Sequence, residues 1–150
     1  TSFMGELMTA THNFGTAPIR AATTADTFKA ALYLTSATVN AATTAYSSTN
    51  EVTGTGYTAG GVTVTNATAP IATNSSATAG VAYWTPSASI TYTTVTLTTA
   101  FDAVLIYNSS QSNKAVSVHT FGSQTITAGT FTLTMPSNTT TTALLRLSTT

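Results

Sequence analysis

Thr130-Phe131-Thr132-Leu133-Thr134-Met135 decides the class of fold. Large apolar residues stand at every second position, with threonines between them. Successive side chains of an extended chain point to opposite faces, so Phe131, Leu133 and Met135 share one face and three hydroxyls share the other. A helix would instead turn Leu133 to the side opposite Phe131 and Met135. The segment therefore predicts a strand packed on a core with its apolar face and wet on its threonine face. Threonine suits the role, because its branched Cβ favours the pleated backbone and its hydroxyl keeps the outer face wet without charge.

The same punctuation runs through the rest of the chain. Val116 and Val118 alternate with Ser117 and His119, and Asn108 to Asn113 reads as a polar turn before them. Ala103-Val104-Leu105-Ile106-Tyr107 is continuously apolar, the pattern of a central strand covered on both faces. Ile90 and Tyr92 keep one phase, Val95 and Leu97 the other, so a bulge or bend is expected at Thr93-Thr94. Val81-Ala82-Tyr83-Trp84 forms a short strand between a loop at Ser75 to Gly80 and the break at Pro86. In Phe28-Lys29-Ala30-Ala31-Leu32-Tyr33-Leu34, the residues Phe28, Ala30, Leu32 and Leu34 share a face. Thr38 to Asn50 is a small, polar loop. Gly54, Gly56, Gly60 and Gly61 mark turns, Val62 and Val64 begin a further strand, and Leu144, Leu145 and Leu147 close the core. Eight or nine short strands with little helix predict an all-β, single-domain β-sandwich or jelly roll over residues 26–150. No internal repeat points to a solenoid or propeller.

Residues 1–25 have a different texture. Phe3, Leu7, Met8 and Phe14 are large apolar residues set among small and polar ones, and Gly15 and Pro18 interrupt them. Phe3, Leu7 and Met8 fall on one side of a short helix that is marginal alone. Two readings are open: an N-terminal arm that orders by docking on another protein, or an edge segment packed on its own domain. On the first reading residues 3–20 carry the main contact to the partner.

Composition bounds the function. The chain has 150 residues and no cysteine, a length for one domain that needs no disulfide to hold it. Thirteen aromatic residues (six Phe, six Tyr and one Trp) and 42% hydrophobic residues argue against disorder. Threonine makes up about a quarter of the sequence. Charged residues are only 5%, four basic and four acidic, for a formal net charge of zero. Near-neutral chains lean toward association, so a life inside an assembly is expected. The four cations, Arg20, Lys29, Lys114 and Arg146, are scattered, which excludes the clustered phosphate neutralisation that nucleic-acid binding requires. No apolar run reaches membrane-spanning length, and the first residues lack the basic start and apolar stretch of a signal peptide.

Catalytic chemistry finds few residues to work with. His12 lies in the N-terminal segment and His119 on the polar face of a strand; hydroxyls surround both by composition alone, and no Gly-x-Ser-x-Gly elbow occurs. A glycosidase-type pair would have to come from Glu6, Asp26, Glu51 and Asp102, each of which is better read as capping a turn or neutralising a base. Two separated histidines and no Asp-rich loop give no zinc or calcium site. Gly54-Thr55-Gly56-Tyr57-Thr58-Ala59-Gly60 has neither dinucleotide spacing nor a Walker lysine, and reads as a structural turn. No catalytic residue, cofactor or metal is expected. Four Asn-x-Ser/Thr sequons, at Asn66, Asn74, Asn108 and Asn138, follow from the abundance of Ser and Thr. Tyr46, Tyr57, Tyr83, Trp84, Tyr92 and Tyr107 serve either as core and sheet-edge packing or as a platform for sugar or protein. An exposed Tyr83-Trp84 pair would fit the second use.

The block Thr27-Phe28-Lys29-Ala30-Ala31-Leu32-Tyr33-Leu34-Thr35-Ser36, then Thr43-Thr44-Ala45-Tyr46, then Glu51-Val52-Thr53-Gly54-Thr55-Gly56-Tyr57-Thr58-Ala59-Gly60-Gly61 resembles a group of small virion proteins of tailed bacteriophages. Ala103 to Asn108, Phe121-Gly122 and Phe131 to Pro136 are similar as well, so the resemblance covers most of residues 26–147. One departure lies at Trp84-Thr85-Pro86, which leads to Ile90 without the acidic residue of the pattern. The group resembled is that of capsid cement or decoration proteins. It implies a jelly-roll or β-sandwich fold, a dimer or trimer, the major capsid protein as partner, and a place on the capsid surface of a virion assembled in the host bacterial cytoplasm. Phe3, Leu7, Met8, Phe14, Tyr83 and Trp84 are the expected protein-contact residues. The alternative is a receptor- or carbohydrate-binding module of a phage tail or fibre.

Overall fold

The computed structural model describes residues 12, 25–65, 71–73 and 81–148. They form an all-β structure of antiparallel strands: β1 Phe28–Leu34, β2 Val62–Thr63, β3 Ile71–Thr73, β4 Val81–Trp84, β5 Ile90–Asn108, β6 Lys114–Leu133 and β7 Leu145–Ser148. One sheet has the order β2-β1-β5-β6 and the other β3-β4-β7.

The first sheet is built around a hairpin of two unusually long strands, 19 residues in β5 and 20 in β6. The alternation pattern suggested four shorter strands here. They merge because bulges reset the side-chain phase without breaking the pairing. The register slips between Tyr92 and Val95, where the sequence changes phase, and Thr94 takes a left-handed φ of 55°. It slips again between Phe101 and Ala103. The turn at 109–113 closes with Ser112 and Asn113 both at positive φ.

β1 pairs with the inner half of β5, from Phe28 opposite Asn108 to Leu34 opposite Phe101. Central strands between two neighbours are buried on both faces, and Ala103 to Tyr107 are all buried, as their unbroken apolar run predicts. In β1 the alternation assigned one apolar face; the other is covered too. Phe28, Ala30 and Leu32 join the larger core, with Leu34 packed against it. Ala31 and Tyr33 join a second cluster with Ala103, Leu105, Tyr107 and Ala115.

The larger core also takes Ile90, Tyr92, Val95, Leu97, Phe101 and Val116, with Phe121, Phe131, Leu133 and Met135 against it. Trp84 of β4 is buried in the same cluster, and Leu145 of β7 packs on it, so both sheets draw on one core. Phe101 and Phe131 meet edge-on at 5.2 Å. Thr130, Thr132 and Thr134 are exposed while Phe131, Leu133 and Met135 are half-buried, the division their alternation predicts.

Candidate functional site

Three polar constellations that hold candidate His, Asp and Glu residues centre on Glu51, Asn108 and His119. The largest grows from the loop between β1 and β2. Residues 50–52 run along β1, Leu34 N–H donating to the Asn50 carbonyl at 3.0 Å and Val52 N–H to the Leu32 carbonyl at 2.9 Å. Glu51 therefore lies opposite Tyr33, and it is buried. The Tyr57 hydroxyl and the Gly60 N–H both donate to Oε1 at 2.7 Å, and the Tyr46 hydroxyl donates to Oε2 at 2.6 Å. Tyr57 in turn accepts from the Leu32 N–H at 2.9 Å, and the Tyr107 hydroxyl donates to the Gly60 carbonyl at 2.8 Å. The Tyr33 hydroxyl ties the loop down again by donating to the Ser47 carbonyl at 2.5 Å. Tyr46 stacks on Tyr107 at 4.6 Å and Tyr57 on Tyr92 at 5.9 Å.

These phenols hold their protons more tightly than free tyrosine. Burial pushes the Tyr33 hydroxyl up to about 12, with a smaller contribution from the Glu51 charge. Burial first, and then the hydrogen bond to Glu51, raises Tyr46 and Tyr57 further. Burial followed by the same charge raises Tyr92 and Tyr107. Both Glu51 oxygens are occupied by donors, so the carboxylate is a cross-link between loop and sheet. The expectation of a turn cap holds in that it takes the Gly60 N–H; its other partners are phenols.

The second constellation clamps the β5–β6 turn. Asn108 is fully buried, and its carboxamide donates to Asp26 Oδ2 at 2.9 Å and meets His12 Nδ1 at 3.0 Å. Asp26 Oδ1 accepts from Gln111 at 3.1 Å, and Ser109 N–H donates to the Thr27 carbonyl at 2.9 Å. His12 is itself buried, its ring 6.4 Å from that of Phe28. At His12, at least, the N-terminal segment packs on its own domain.

The third is small. His119 Nε2 lies 3.0 Å from Ser117 Oγ, two residues away on β6, and burial pulls the imidazole below its ordinary value. No carboxylate among the described residues hydrogen-bonds this ring, so none of them supplies the orienting third member of a triad. Nor do the described residues contain a group of three His, Cys, Asp or Glu able to hold a metal ion.

The expected contact residues fall in three places. Phe3, Leu7, Met8 and Phe14 lie outside the described residues. Tyr83 is half-buried on β4. The expected exposed pair is corrected at Trp84, which is 2% exposed with its ring 6.0 Å from that of Phe28. Strand alternation sends Tyr83 and Trp84 to opposite faces, so the two cannot form one platform. Tyr46, Tyr57, Tyr92 and Tyr107 are used internally, as the stacking and hydrogen bonds above require.

Among the described residues, one accessible surface was marked by no motif. Beyond the reach of β1, the outer half of the hairpin exposes Thr91, Thr93 and Thr98 on β5 and Thr125, Thr127, Thr130 and Thr132 on β6. No charged residue occurs from Ala115 to Leu145. The signal was present in the absence of Lys and Glu, which edge strands ordinarily use to deter pairing. β6 is the edge of its sheet, and Thr44 to Tyr46 cover only its first residues. The chain matches no protein-family model, and no curated protein or solved structure is significantly similar to it.

Proposed function

We propose that this chain is a structural virion protein of the capsid cement type: a β-sandwich of the jelly-roll kind that binds the major capsid protein on the outside of a tailed-phage head and stabilises the shell. The observation that carries the reading is the uncharged, threonine-covered outer half of the β5–β6 hairpin, continuous with the inner half of β5, which is buried on both faces. Hydroxyl-to-amide hydrogen bonds are screened by salt far less than surface ion pairs. On a preformed lattice, many modest contacts of this kind add through avidity.

In this reading the chain acts as a dimer or trimer, without catalysis or cofactor, and Phe3, Leu7, Met8 and Phe14 anchor it to the shell. Because His12 is keyed into the domain through Asn108, the anchor is best tested by changing those four residues to alanine rather than by deletion. Shell binding should be lost while the β-type circular dichroism stays; retained binding removes the anchor. The alternative is a receptor- or carbohydrate-binding module of a phage tail or fibre; the internal engagement of Trp84 and four tyrosines leaves fewer aromatic faces for a sugar among the described residues. Adding the purified protein to shells that lack it, followed by electron cryo-microscopy, separates the two. A regular lattice of added density supports cement, whereas density at a single vertex, or a glycan-array signal competed by free sugar, supports the alternative.

A further inference from the structure

β6 leaves a long sheet edge open. The other edge strands are short, with two residues in β2, three in β3 and four in β7, the last carrying Arg146, whereas β6 has 20. Thr44 and Tyr46 bond to its outer side only at Ala115 and Asn113. Over residues 117–133 the strand pairs with β5 alone among the described residues. An open edge presents N–H and C=O groups that can take another strand, and proteins ordinarily guard it with charge, proline, bulges or brevity. Residues 117–133 contain no charge and no proline. Bulges lie between Thr120 and Phe131, and they leave regular runs at residues 117–120 and 131–133. On the core side of this edge Phe121, Ile126, Phe131 and Leu133 are only half-buried, the rings of Phe121 and Phe131 standing 5.1 Å apart.

We propose that β6 pairs edge to edge, antiparallel, with β6 of a second copy of this chain, joining two four-stranded sheets into one. Charge selects the occupant. A second copy brings the same uncharged edge, so no like charges meet across the seam in any register, and the formal net charge of zero adds no long-range repulsion. It also brings the same half-buried apolar stripe, which meets its own counterpart on the core side of the joined sheet. A two-fold axis perpendicular to the sheet relates the two strands. With that axis near Thr125, the regular run 117–120 of one copy lies opposite the run 131–133 of the other. Both copies then turn their threonine faces the same way, which doubles the surface assigned above to the shell. The seam is about 50 Å long but one strand deep, smaller than a standard interface, so the dimer dissociates on dilution. This inference sharpens the oligomer named in the capsid reading, but its test uses no shells, so either can fail without the other.

Sedimentation velocity of the purified full chain at physiological salt, from about 10 μM to about 1 mM, should show a monomer–dimer equilibrium. Hydrogen exchange at the two ends of that range should show amides within residues 117–133 slowed at least about three-fold at the higher concentration. Thr125→Lys combined with Thr127→Lys places like charges at the seam and should weaken the dimer at least about five-fold. Thr91→Lys combined with Thr93→Lys adds the same charge to the same face one strand inward, and should change it by less than about two-fold. Circular dichroism checks that both variants fold, and the exchange measurement on the unaltered chain needs neither. The proposal is overturned by a monomer at every concentration, by a trimer, or by association that leaves exchange in residues 117–133 unchanged. Equal affinity in the folded Thr125→Lys, Thr127→Lys variant, or equal weakening by the two variants, overturns it as well.

Discussion

Tyr57 and Glu51 are joined by a 2.7 Å hydrogen bond in which the phenol donates to a buried carboxylate, and the same phenol accepts from the backbone of β1. Tyr57 thereby relays Glu51 to Leu32. Replacing Glu51 with Gln preserves shape but removes the charge that three donors point at. We predict a loss of about 2 kcal/mol, the scale of hydrogen bonds to a charged group that is buried. Denaturant unfolding measures it, and Tyr57→Phe should cost less because the Gly60 N–H still reaches the carboxylate.

Five of the six tyrosines hold raised pKa values in the fold. A phenol so raised keeps its proton in the folded chain at a pH where the unfolded chain has released it. Its contribution to stability is therefore full below about pH 10, the ordinary tyrosine value, and is lost as the pH rises from there through the folded value. Stability should stay level on the alkaline side up to that point and then fall steeply. Phenolate absorbance from these five should appear together with the loss of β-type circular dichroism; a gradual titration of the five in a chain that stays folded would contradict this.

Gly61 has a φ of 74°, and a Cβ there would strike the carbonyl of Ala30 on β1. Neither can yield, because the carbonyl is backbone and a Cβ is fixed rigidly to its own Cα. Gly61→Ala should cost at least about 3 kcal/mol, in the range of steric and backbone-strain effects. Gly122 on β6 has nothing near its would-be Cβ, so Gly122→Ala should change stability by less than about 0.5 kcal/mol. Paired thermal melts read the contrast.

Thr94 is β-branched and exposed, yet sits at a φ of 55° where the β5 register slips. This conformation is costly for a branched side chain. Thr94→Gly should raise stability by about 1 kcal/mol, visible as a higher melting temperature.

Alternating apolar residues made β1 and the Phe131 strand legible, the unbroken run Ala103 to Tyr107 did so for the inner half of β5, and the phase change at Thr93-Thr94 marked its bulge. The length of β5 and β6 was hidden, because a bulge resets the alternation and so looks like the end of a strand. The Glu51 cluster was half visible. Glu51 is a lone carboxylate among tyrosines at 33, 46 and 57, but only the fold brings Tyr92 and Tyr107 near it. Trp84 misled because a four-residue strand before a proline gives no hint of which face is inward. The hairpin face was unmarked for a different reason: its character lies in charges that are missing along the strand, and pattern reading attends to residues that are present.

Saturation binding of the purified chain to phage shells lacking it, repeated from low to molar salt, tests the proposed role most directly. The account predicts stoichiometric binding whose affinity changes by less than about three-fold, since uncharged contacts escape the screening that weakens ion pairs over that range. Absence of saturable binding, or affinity that collapses as salt rises, would contradict it.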